Sequence, residues 1–520
     1  MLRKILLLIT LAFIFSGSSF AQEFGFGFDD YDSEEDAGSA PASGSASRLG
    51  SNLGFSIKMG GEIAFEMTPY VHDFKKKENG QQLSFWDMAS GALNFTLSSP
   101  YMEAYTAFNL NASSISELWD ASPDLSNASY TPLIINEAFL RAFIGPVNVE
   151  AGFRKLAWGK ADGLGPLDVT NPLDYSDLRN ISDINSIKIA RPMLHLAWNT
   201  GDFSKLETVF IPNFAGHRFA RDGRWAASQY SSMAALATTG IMDRATELIP
   251  PMYAPMIQSM GPMFASGFSN FSITFPDTST LNYFQTGLRY TTTIGPVDIG
   301  GQYFYGNLFL PDFSVKGVDA FLENIFSQIP AFVGLHIPPT LHPELLNPQI
   351  KYNRYHQIGF DYAQVVFGFN LRAEFAVNLT EDLAGDDGSV RNPFIGWSFG
   401  FDRELIWGIY ANVQINETIR LLNNKVGSNP VMDCEAGTDA TSTRLTMQIS
   451  KKFLRDALES KVSFIWDIEN SGCYIIPAVV WTMGGLSAEL SAGIFAGKEK
   501  GELGQYWENS FIRVGLKYSF

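Results

Sequence analysis

Apolar and polar residues alternate along most of the chain after about residue 55. In GFNLRAEFAVN (368–378) every second residue from Phe369 to Val377 is apolar, and most residues between them are charged or polar. TRLTMQIS (443–450) repeats the pattern. A β-strand points successive side chains to opposite faces, so each segment predicts a strand with one apolar and one polar face. About 18 such segments occur, each close to the roughly 9–11 residues with which a tilted strand crosses a bilayer.

The connections between these segments alternate between short and long. Short turns are predicted at 97–101, 144–147, 198–202, 294–297, 401–405 and 483–485. Long connections are predicted at 67–90, 112–133, 158–187, 212–280, 307–353, 379–393, 417–441 and 496–510. This alternation is typical of a transmembrane barrel with periplasmic turns at one rim and extracellular loops at the other. The turn near Val365–Phe367 is poorly marked, so about 16 strands is the alternative to about 18.

The sequence therefore predicts an all-β fold, a transmembrane antiparallel β-barrel with long, partly helical extracellular loops. The barrel is expected over residues 55–520, with its longest loops at 158–187, 212–280 and 307–353. A soluble β-sandwich also alternates, but the many tryptophans near segment ends, such as Trp198 and Trp481, favour aromatic girdles at two membrane interfaces.

The residues before the barrel predict export. MLRK, the apolar run ILLLITLAFIF and the small residues of Ser19-Phe20-Ala21 form the three regions of a secretory signal peptide, predicted at 1–21. Residues 22–54 are first acidic and then rich in Ser, Gly and Ala, which predicts a periplasmic linker.

Composition narrows the function classes. Aromatic residues make up 14% of the chain and charged residues 18%, below the roughly 25% of globular proteins. A net charge of −17 argues against nucleic acid as a partner, because nucleic-acid binding needs a basic face. No HExxH, GxSxG or Gly-rich phosphate loop is present, so no catalytic set, metal site or cofactor is predicted. If the barrel were an enzyme, its site would be sought where His195 or His356 lies beside a serine.

The stretch FIRVGLKYSF (511–520) carries a resemblance. Its apolar residues, Ile512, Val514, Leu516, Tyr518 and Phe520, alternate with charged, small or polar ones. The stretch resembles the C-terminal signal of outer-membrane β-barrels of the porin type. The resemblance implies that the barrel-assembly machinery recognises Tyr518 and Phe520, that the apolar side chains face outer-membrane lipid, and that the protein is integral to the bacterial outer membrane.

A second resemblance lies in GFRKLAWGKADGLGPLDVTNPLDYSDL (152–178), which is similar to a segment of porin-like barrel families of unknown function. Its glycines and prolines favour turns, and Asp168, Asn171 and Asp174 can hydrogen-bond to their own backbone. We interpret the segment as a compact loop at or inside the barrel mouth. It is either a constriction or a brace of the rim.

The polar strand faces are expected to line the lumen. Charges of both signs inside a barrel create a field across the lumen, or they pair across strands and stabilise the wall. Because both signs occur in similar numbers, strong ion selectivity is not predicted. The predicted lumen-lining residues are Lys58, Glu62, Glu103, Arg141, Glu150, Arg154, Arg289, Asp361, Arg372, Glu374, Arg444, Arg513 and Lys517.

The longest loop is unusually rich in methionine. Its segment 231–268 contains six Met, a predicted helix at Ser231–Leu248 and then Pro250-Pro251, and a second helix is predicted within 319–339. Methionine adapts to irregular apolar ligands. The loop is therefore either a hatch for hydrophobic substrates or a cap in which the two apolar loops pack together. The candidate hatch residues are Met233, Met242, Met252, Met256, Met260, Met263 and Phe264.

Two further expectations concern the cysteines and the function. Cys434 and Cys473 fall at the same rim, so a disulfide between them is predicted, with two free thiols as the alternative. The favoured function is passive diffusion of small solutes through a porin-like channel. The alternatives are a hydrophobic-substrate transporter, similar to long-chain fatty-acid transporters, and a surface-display or adhesion barrel. The oligomeric state stays open.

Overall fold

Eighteen antiparallel strands form one closed sheet in the computed structural model, which describes residues 55–73, 89–111, 134–220, 223–227, 233–259, 261–262, 274–335, 340–499 and 501–520. The prediction of 18 strands is confirmed, and the alternative of 16 is wrong. The predicted signal peptide and linker lie outside the described residues. The strands are β1 (Ser56–Met67), β2 (Ala89–Ser98), β3 (Met102–Leu110), β4 (Ile135–Ile144), β5 (Val147–Arg154), β6 (Arg191–Gly201), β7 (Ser204–Ile211), β8 (Gln285–Ile294), β9 (Val297–Asn307), β10 (Arg354–Val366), β11 (Phe369–Thr380), β12 (Phe394–Glu404), β13 (Ile409–Arg420), β14 (Thr441–Phe453), β15 (Leu458–Asp467), β16 (Gly472–Met483), β17 (Leu486–Ala496) and β18 (Phe511–Ser519).

The barrel closes where β1 pairs with β18. Ile63 lies opposite Tyr518 and Phe65 opposite Leu516. Gly61 and Phe520 extend this seam by exchanging two backbone hydrogen bonds of 3.0 and 2.9 Å. A side chain at Gly61 would meet the Phe520 ring at 2.9 Å, so the seam requires glycine there. Closure leaves no sheet edge with unpaired backbone groups.

The outward faces of the strands form an apolar belt. In β18, Ile512, Val514, Leu516 and Tyr518 are 44%, 43%, 51% and 43% exposed. Each lies opposite an apolar residue of β17. A surface this apolar is expected only where lipid replaces water. Other members of the belt, from strands all around the barrel, are Leu140, Leu194, Leu288, Phe360, Phe375, Phe399, Ile449 and Val479.

Two short turns contain residues other than glycine in the left-handed region. Phe367 and Gly368 join β10 to β11 with φ of 52° and 78°, which is the left-handed geometry of a tight hairpin. Leu454, Arg455 and Asp456 join β14 to β15 with φ between 53° and 66°. The second turn contains no glycine. The connection from β15 to β16 is short, although it lies at the rim that carries the long loops.

The long connections contain the helices α1 (Ile184–Ile187), α2 (Met233–Leu248), α3 (Ala254–Ser259) and α4 (Val318–Leu335). The two longest match the helices predicted in 231–248 and 319–339. In the described part of the chain, no helix has both the length and the hydropathy to cross a membrane.

Helices α2 and α4 share an apolar core, and together they are called the cap. Ile241 and Ala245 of α2 and Phe321 and Leu322 of α4 are completely buried. Val431, from the connection between β13 and β14, joins the same core. The two longest loops therefore bury each other's apolar faces.

Candidate functional site

The connection between β5 and β6, residues 155–190, folds back into the barrel and is called the strap. Asn171 organises its base. The Asn171 amide donates to the carbonyls of Arg154 and Ile189, both at 2.9 Å, and its oxygen accepts from the Leu156 N–H at 2.8 Å. One buried side chain thus joins the end of β5 to both ends of the strap, because it satisfies backbone groups at each of them.

The tip of the strap is bound to the opposite wall by Glu374 of β11. One carboxylate oxygen accepts the N–H groups of Lys160 and Ala161, the latter at 2.7 Å. The other oxygen accepts the Leu167 N–H at 3.3 Å. A carboxylate predicted to line the lumen therefore holds the backbone of an inserted loop.

Amide side chains of neighbouring strands complete this attachment. Gln302, Gln357 and Gln414 belong to β9, β10 and β13, and each donates to a carbonyl of the strap tip. Asp162 of the strap accepts from Asn412 at 2.8 Å and from Arg372. The amide contacts are Gln302 to Leu167 at 3.0 Å, Gln357 to Pro166 at 2.9 Å and Gln414 to Leu164 at 3.1 Å.

The second half of the strap packs against a different wall. Leu178 and Ile181 are buried with Tyr474 of β16 and Phe495 of β17 in one apolar cluster. The Tyr474 hydroxyl donates to the Arg179 carbonyl at 3.0 Å. Because the strap contacts β9–β13 at its tip and β16–β17 here, it crosses the interior of the barrel.

The outward faces of the strands form an apolar surface, and their inward faces, which enclose the strap, carry charges and amides. The architecture is that of an outer-membrane β-barrel. In the outer membrane the apolar belt faces lipid, and the strap divides the interior of the barrel between its two rims.

Aromatic packing fixes the strap beside the loop that follows β7. The His217 ring accepts the Leu173 N–H through Nδ1 at 2.9 Å and packs on Tyr175, with ring centroids 5.2 Å apart. Burial lowers the pKa of His217 to about 3 and raises that of Tyr175 to about 12. Both side chains are therefore neutral in this contact at ordinary pH.

A charge ladder runs along one wall from β3 to β10. It consists of Glu103, Arg141, Glu150, Arg154, His195, Lys205, Glu207, Arg289 and Asp361. Glu150 accepts from Arg141 Nε at 2.6 Å and lies 3.2 Å from Arg154 Nε. Arg289 Nη2 lies 2.8 Å from Asp361 Oδ2. Most members have a partner of opposite charge on an adjacent or nearby strand, which is the arrangement that stabilises neighbouring strands.

His195 joins the two halves of the ladder. Its Nδ1 lies 3.1 Å from Glu150 Oε2, and its Nε2 lies 3.2 Å from Glu207 Oε1. Ionised carboxylates only accept hydrogen bonds, so the ring donates from both nitrogens when both glutamates are ionised. The other histidine considered for catalysis, His356, contacts the Tyr303 hydroxyl at 2.7 Å. In the described residues no cluster of histidine, cysteine or carboxylate side chains is arranged to hold a metal ion.

The remaining residues predicted to line the lumen lie elsewhere around the barrel. Lys517 Nζ lies 3.4 Å from Glu62 Oε2 across the closing seam, and Arg513 Nε lies 3.1 Å from Glu66 Oε1. Arg444 contacts Glu502 of the connection before β18 at 2.7 Å. Lys58 of β1 is exposed.

The candidate hatch residues are not brought together as a group. Met242 packs against the apolar core of the cap, whereas Met252 is 76% exposed. Met233 and Met256 belong to α2 and α3. Met260, Met263 and Phe264 lie outside the described residues.

The predicted disulfide between Cys434 and Cys473 is wrong, because both cysteines are free thiols. Cys473 alternates with Tyr474, whose side chain is buried inside the barrel, so Cys473 lies on the outward face of β16. Cys434 lies in the connection between β13 and β14, where its N–H donates to the Gly388 carbonyl at 2.7 Å. Burial there raises the pKa of its thiol.

Sequence reasoning missed Glu207, Lys205 and the lumen-side glutamines. Glu207 and Lys205 lie on the same face of β7 as the buried Val209. The period of two along β7 would have identified that face. Gln302, Gln357 and Gln414 carry no charge, so the charge pattern of the strands does not mark them, although neutral amides satisfy strap carbonyls without burying a charge.

No family model matches the sequence, and no curated protein matches it. Among solved structures, the chain is similar to OccK1 (OpdK) of Pseudomonas aeruginosa, with a TM-score of 0.43, 8% identity, and 90% of this chain and 98% of that chain covered. It is similar to the channel DcaP of Acinetobacter baumannii, with a TM-score of 0.38, 8% identity, and 90% and 99% covered. It is also similar to a BenF-like porin from Pseudomonas fluorescens, with a TM-score of 0.41, 6% identity, and 90% of this chain and 98% of that chain covered. At these scores the likenesses carry no inference about solute or mechanism.

Proposed function

We propose that the protein is an outer-membrane channel for passive diffusion of small polar solutes, narrowed by the strap. The observation that carries this proposal is a polar and charged inner wall enclosed by an apolar outer belt. An 18-strand barrel is wide enough to enclose a lumen. The strap fills part of that lumen, so solutes pass beside it.

The charges of the inner wall support weak ion selectivity. Ladder members of opposite sign are paired, as in Arg289 with Asp361 and Glu150 with Arg141. Paired charges leave little net field to exclude either sign, while their dipoles still orient polar solutes. The remaining predicted lumen residues, Lys58, Glu62, Arg372, Arg444, Arg513 and Lys517, contribute both signs in the same way.

The seam between β1 and β18 supports the proposed assembly signal. Tyr518 and Phe520 project outward next to each other, with ring centroids 6.4 Å apart. A free β18 edge would present these aromatic side chains before the barrel closes. We therefore include recognition of Tyr518 and Phe520 by the barrel-assembly machinery in the proposal, together with the periplasmic linker at 22–54.

Single-channel conductance of the refolded barrel in a planar bilayer tests the proposal. Steady ohmic conductance with similar permeability to K⁺ and Cl⁻ is expected. A variant lacking 231–268 is the informative companion, because α2 and its part of the cap core are removed while the strap and ladder remain. Its conductance should equal or exceed that of the intact barrel.

The alternatives give different results in the same measurement. A barrel that is silent when intact and conducts after the deletion would favour a transporter gated by the Met-rich loop. Silence in both would favour a surface-display barrel and would contradict the channel proposal. The packing of Met242 against the cap core favours a structural role for that loop over an open apolar capture site.

A further inference from the structure

A cavity of about 170 Å³ lies between β4 and the strap. It is lined by Asn136, Glu137, Lys155, Ala157, Asn185 and Lys188. Ala157 and Asn185 are exposed, whereas the lysine side chains lie deeper. The cavity therefore combines a solvent-facing rim with charged groups of both signs.

Charged groups of both signs line the cavity. Glu137 accepts the Lys155 backbone N–H through Oε1 at 2.8 Å. Lys155 Nζ donates to the Asn185 carbonyl at 3.1 Å, a neutral acceptor. The neighbouring Lys188 Nζ is already paired with Asp168 Oδ2 at 2.7 Å.

Lys155 lacks full charge compensation. Burial lowers the pKa of its ammonium to about 8, although Glu137 and Asp183 partly oppose the shift and the Lys188 charge adds to it. An anionic group placed against Nζ would stabilise the charged form. A second carboxylate placed against Glu137 would do the opposite.

The charge pattern restricts the ligand. A simple anion satisfies Lys155 but is repelled by Glu137, and a simple cation satisfies Glu137 but is repelled by Lys155. A neutral apolar molecule would cover both charges without compensating them, which is costly. A small molecule that carries an ammonium and a carboxylate a few atoms apart compensates both.

We propose that this cavity is a binding subsite for small zwitterionic solutes, with the solute carboxylate at Lys155 and its ammonium at Glu137. The amides of Asn136 and Asn185 supply neutral hydrogen-bonding partners at the same site. The inference rests on the proposed channel function, because solutes that diffuse through the barrel must reach the exposed rim of the cavity.

Isothermal titration calorimetry on the detergent-solubilised full-length barrel tests the subsite without requiring conduction. The probes are glycine, which carries both groups, and acetate and methylammonium, which carry one each. Glycine is expected to bind at least tenfold more tightly than either, which corresponds to about 1.4 kcal/mol. Equal affinity for acetate and glycine would overturn the proposal in favour of an anion site.

Two variants remove one charge each. Glu137→Gln retains an oxygen that can accept the Lys155 backbone N–H, and Lys155→Met retains the length of the side chain. Each is expected to weaken glycine binding at least tenfold, with unchanged far-ultraviolet circular dichroism and heat-modifiability. Lys452→Met, at the turn end of β14, is the matched charge-removal control and should bind glycine as the parent does. Unchanged glycine affinity in both site variants would refute the assignment.

Protonation provides a readout that a structural role would not change. At pH 8.5 part of Lys155 is uncharged, and a bound carboxylate favours its protonation. Glycine binding should therefore take up protons at pH 8.5, seen as an enthalpy that depends on the ionisation enthalpy of the buffer, and less so at pH 6.5. If the binding enthalpy does not depend on the buffer, or if it still does so in Lys155→Met, the proposal is contradicted.

The subsite and the channel can fail separately. Conductance without glycine binding would refute only the subsite, whereas glycine binding to a silent barrel would refute only the channel.

Discussion

Glu374 illustrates how single residues position the strap. Its carboxylate accepts three backbone N–H groups, and Gly159 and Gly165 leave the space that it occupies, because a Cβ at either glycine would collide with the carboxylate. Gly159 also has a φ of +101°, which disfavours other residues. The attachment thus depends on the carboxyl group of one side chain and on two glycines that leave space for it.

Replacing Glu374 by glutamine should loosen the strap tip. Glutamine retains one acceptor oxygen but turns an amide N–H₂ toward a backbone donor, so at least one N–H of Lys160, Ala161 or Leu167 loses its partner. The cost is expected to be about 1–3 kcal/mol. Hydrogen exchange of the 159–167 peptide should accelerate, and open-channel current noise should rise. Glu489→Gln, on β17, is the control and should change neither; unchanged exchange in Glu374→Gln would contradict the role assigned to Glu374.

His217 makes the attachment of the strap sensitive to acid. The pKa of the buried ring is about 3, below its ordinary value of 6.5, because burial disfavours the charged form. Above pH 6.5 the ring is neutral whether the strap is attached or released, and the stabilisation is complete. Between pH 6.5 and about 3 only the released state takes up the proton, so attachment weakens by up to about 1.4 kcal/mol per pH unit.

Hydrogen exchange of the peptide containing Leu173 measures this effect. After correction for intrinsic exchange rates, its opening should become more frequent between pH 7 and pH 5. His217→Asn keeps an acceptor for the Leu173 N–H but does not titrate, and it should remove the pH dependence. An equal pH dependence in the parent and in this variant would show that another group is responsible.

The residues that the sequence could identify are those governed by strand alternation. The outward positions of β18 and the inward positions of Arg289, Asp361 and Glu374 follow from a period of two. Their partners do not, since Glu374 binds backbone groups more than 200 positions away in the chain. Such contacts depend on how a loop folds inside the closed barrel, and no local pattern encodes that.

At the scale of elements, the cap is a small apolar core built from two loops. Phe321 of α4 is completely buried there with Ile241 of α2. The helical pattern predicted both helices, but the sequence left open whether they enclose a ligand or each other. The alternatives share the same amphipathic pattern, so only the packing of the helices distinguishes them.

Truncating Phe321 to alanine should destabilise the cap and leave the barrel intact. Removal of a buried aromatic side chain typically costs about 3–5 kcal/mol. Limited proteolysis should therefore cleave near α2 and α4 faster, while the barrel keeps its heat-modifiable migration. Met252→Ala removes an exposed side chain of the same loop and should leave the cleavage rate unchanged. Loss of heat-modifiability in Phe321→Ala would show that the cap and the barrel fold as one unit.

At the scale of the whole molecule, the apolar belt faces lipid, and the paired charges face the interior of the barrel. Strand number, closure and face assignment follow from alternation and from the lengths of the connections. The positions of the strap and the cap do not follow, because long loops with several turn residues have many compact conformations.

If the whole barrel lies in a membrane, a charge on its outward face should lower the free energy of unfolding by an amount that depends on its depth in the bilayer. Leu490 lies midway along the outward face of β17, whereas Leu486 begins that strand beside the turn from β16. Leu490→Arg should lower the free energy of unfolding in lipid vesicles by about 2–4 kcal/mol, and Leu486→Arg by about 0–1 kcal/mol, because arginine near the interface reaches the headgroups. Urea titrations of the two variants in the same vesicles make the comparison. In a barrel that faces water the exposed arginines would cost little at either position, so equal small effects would contradict the membrane assignment.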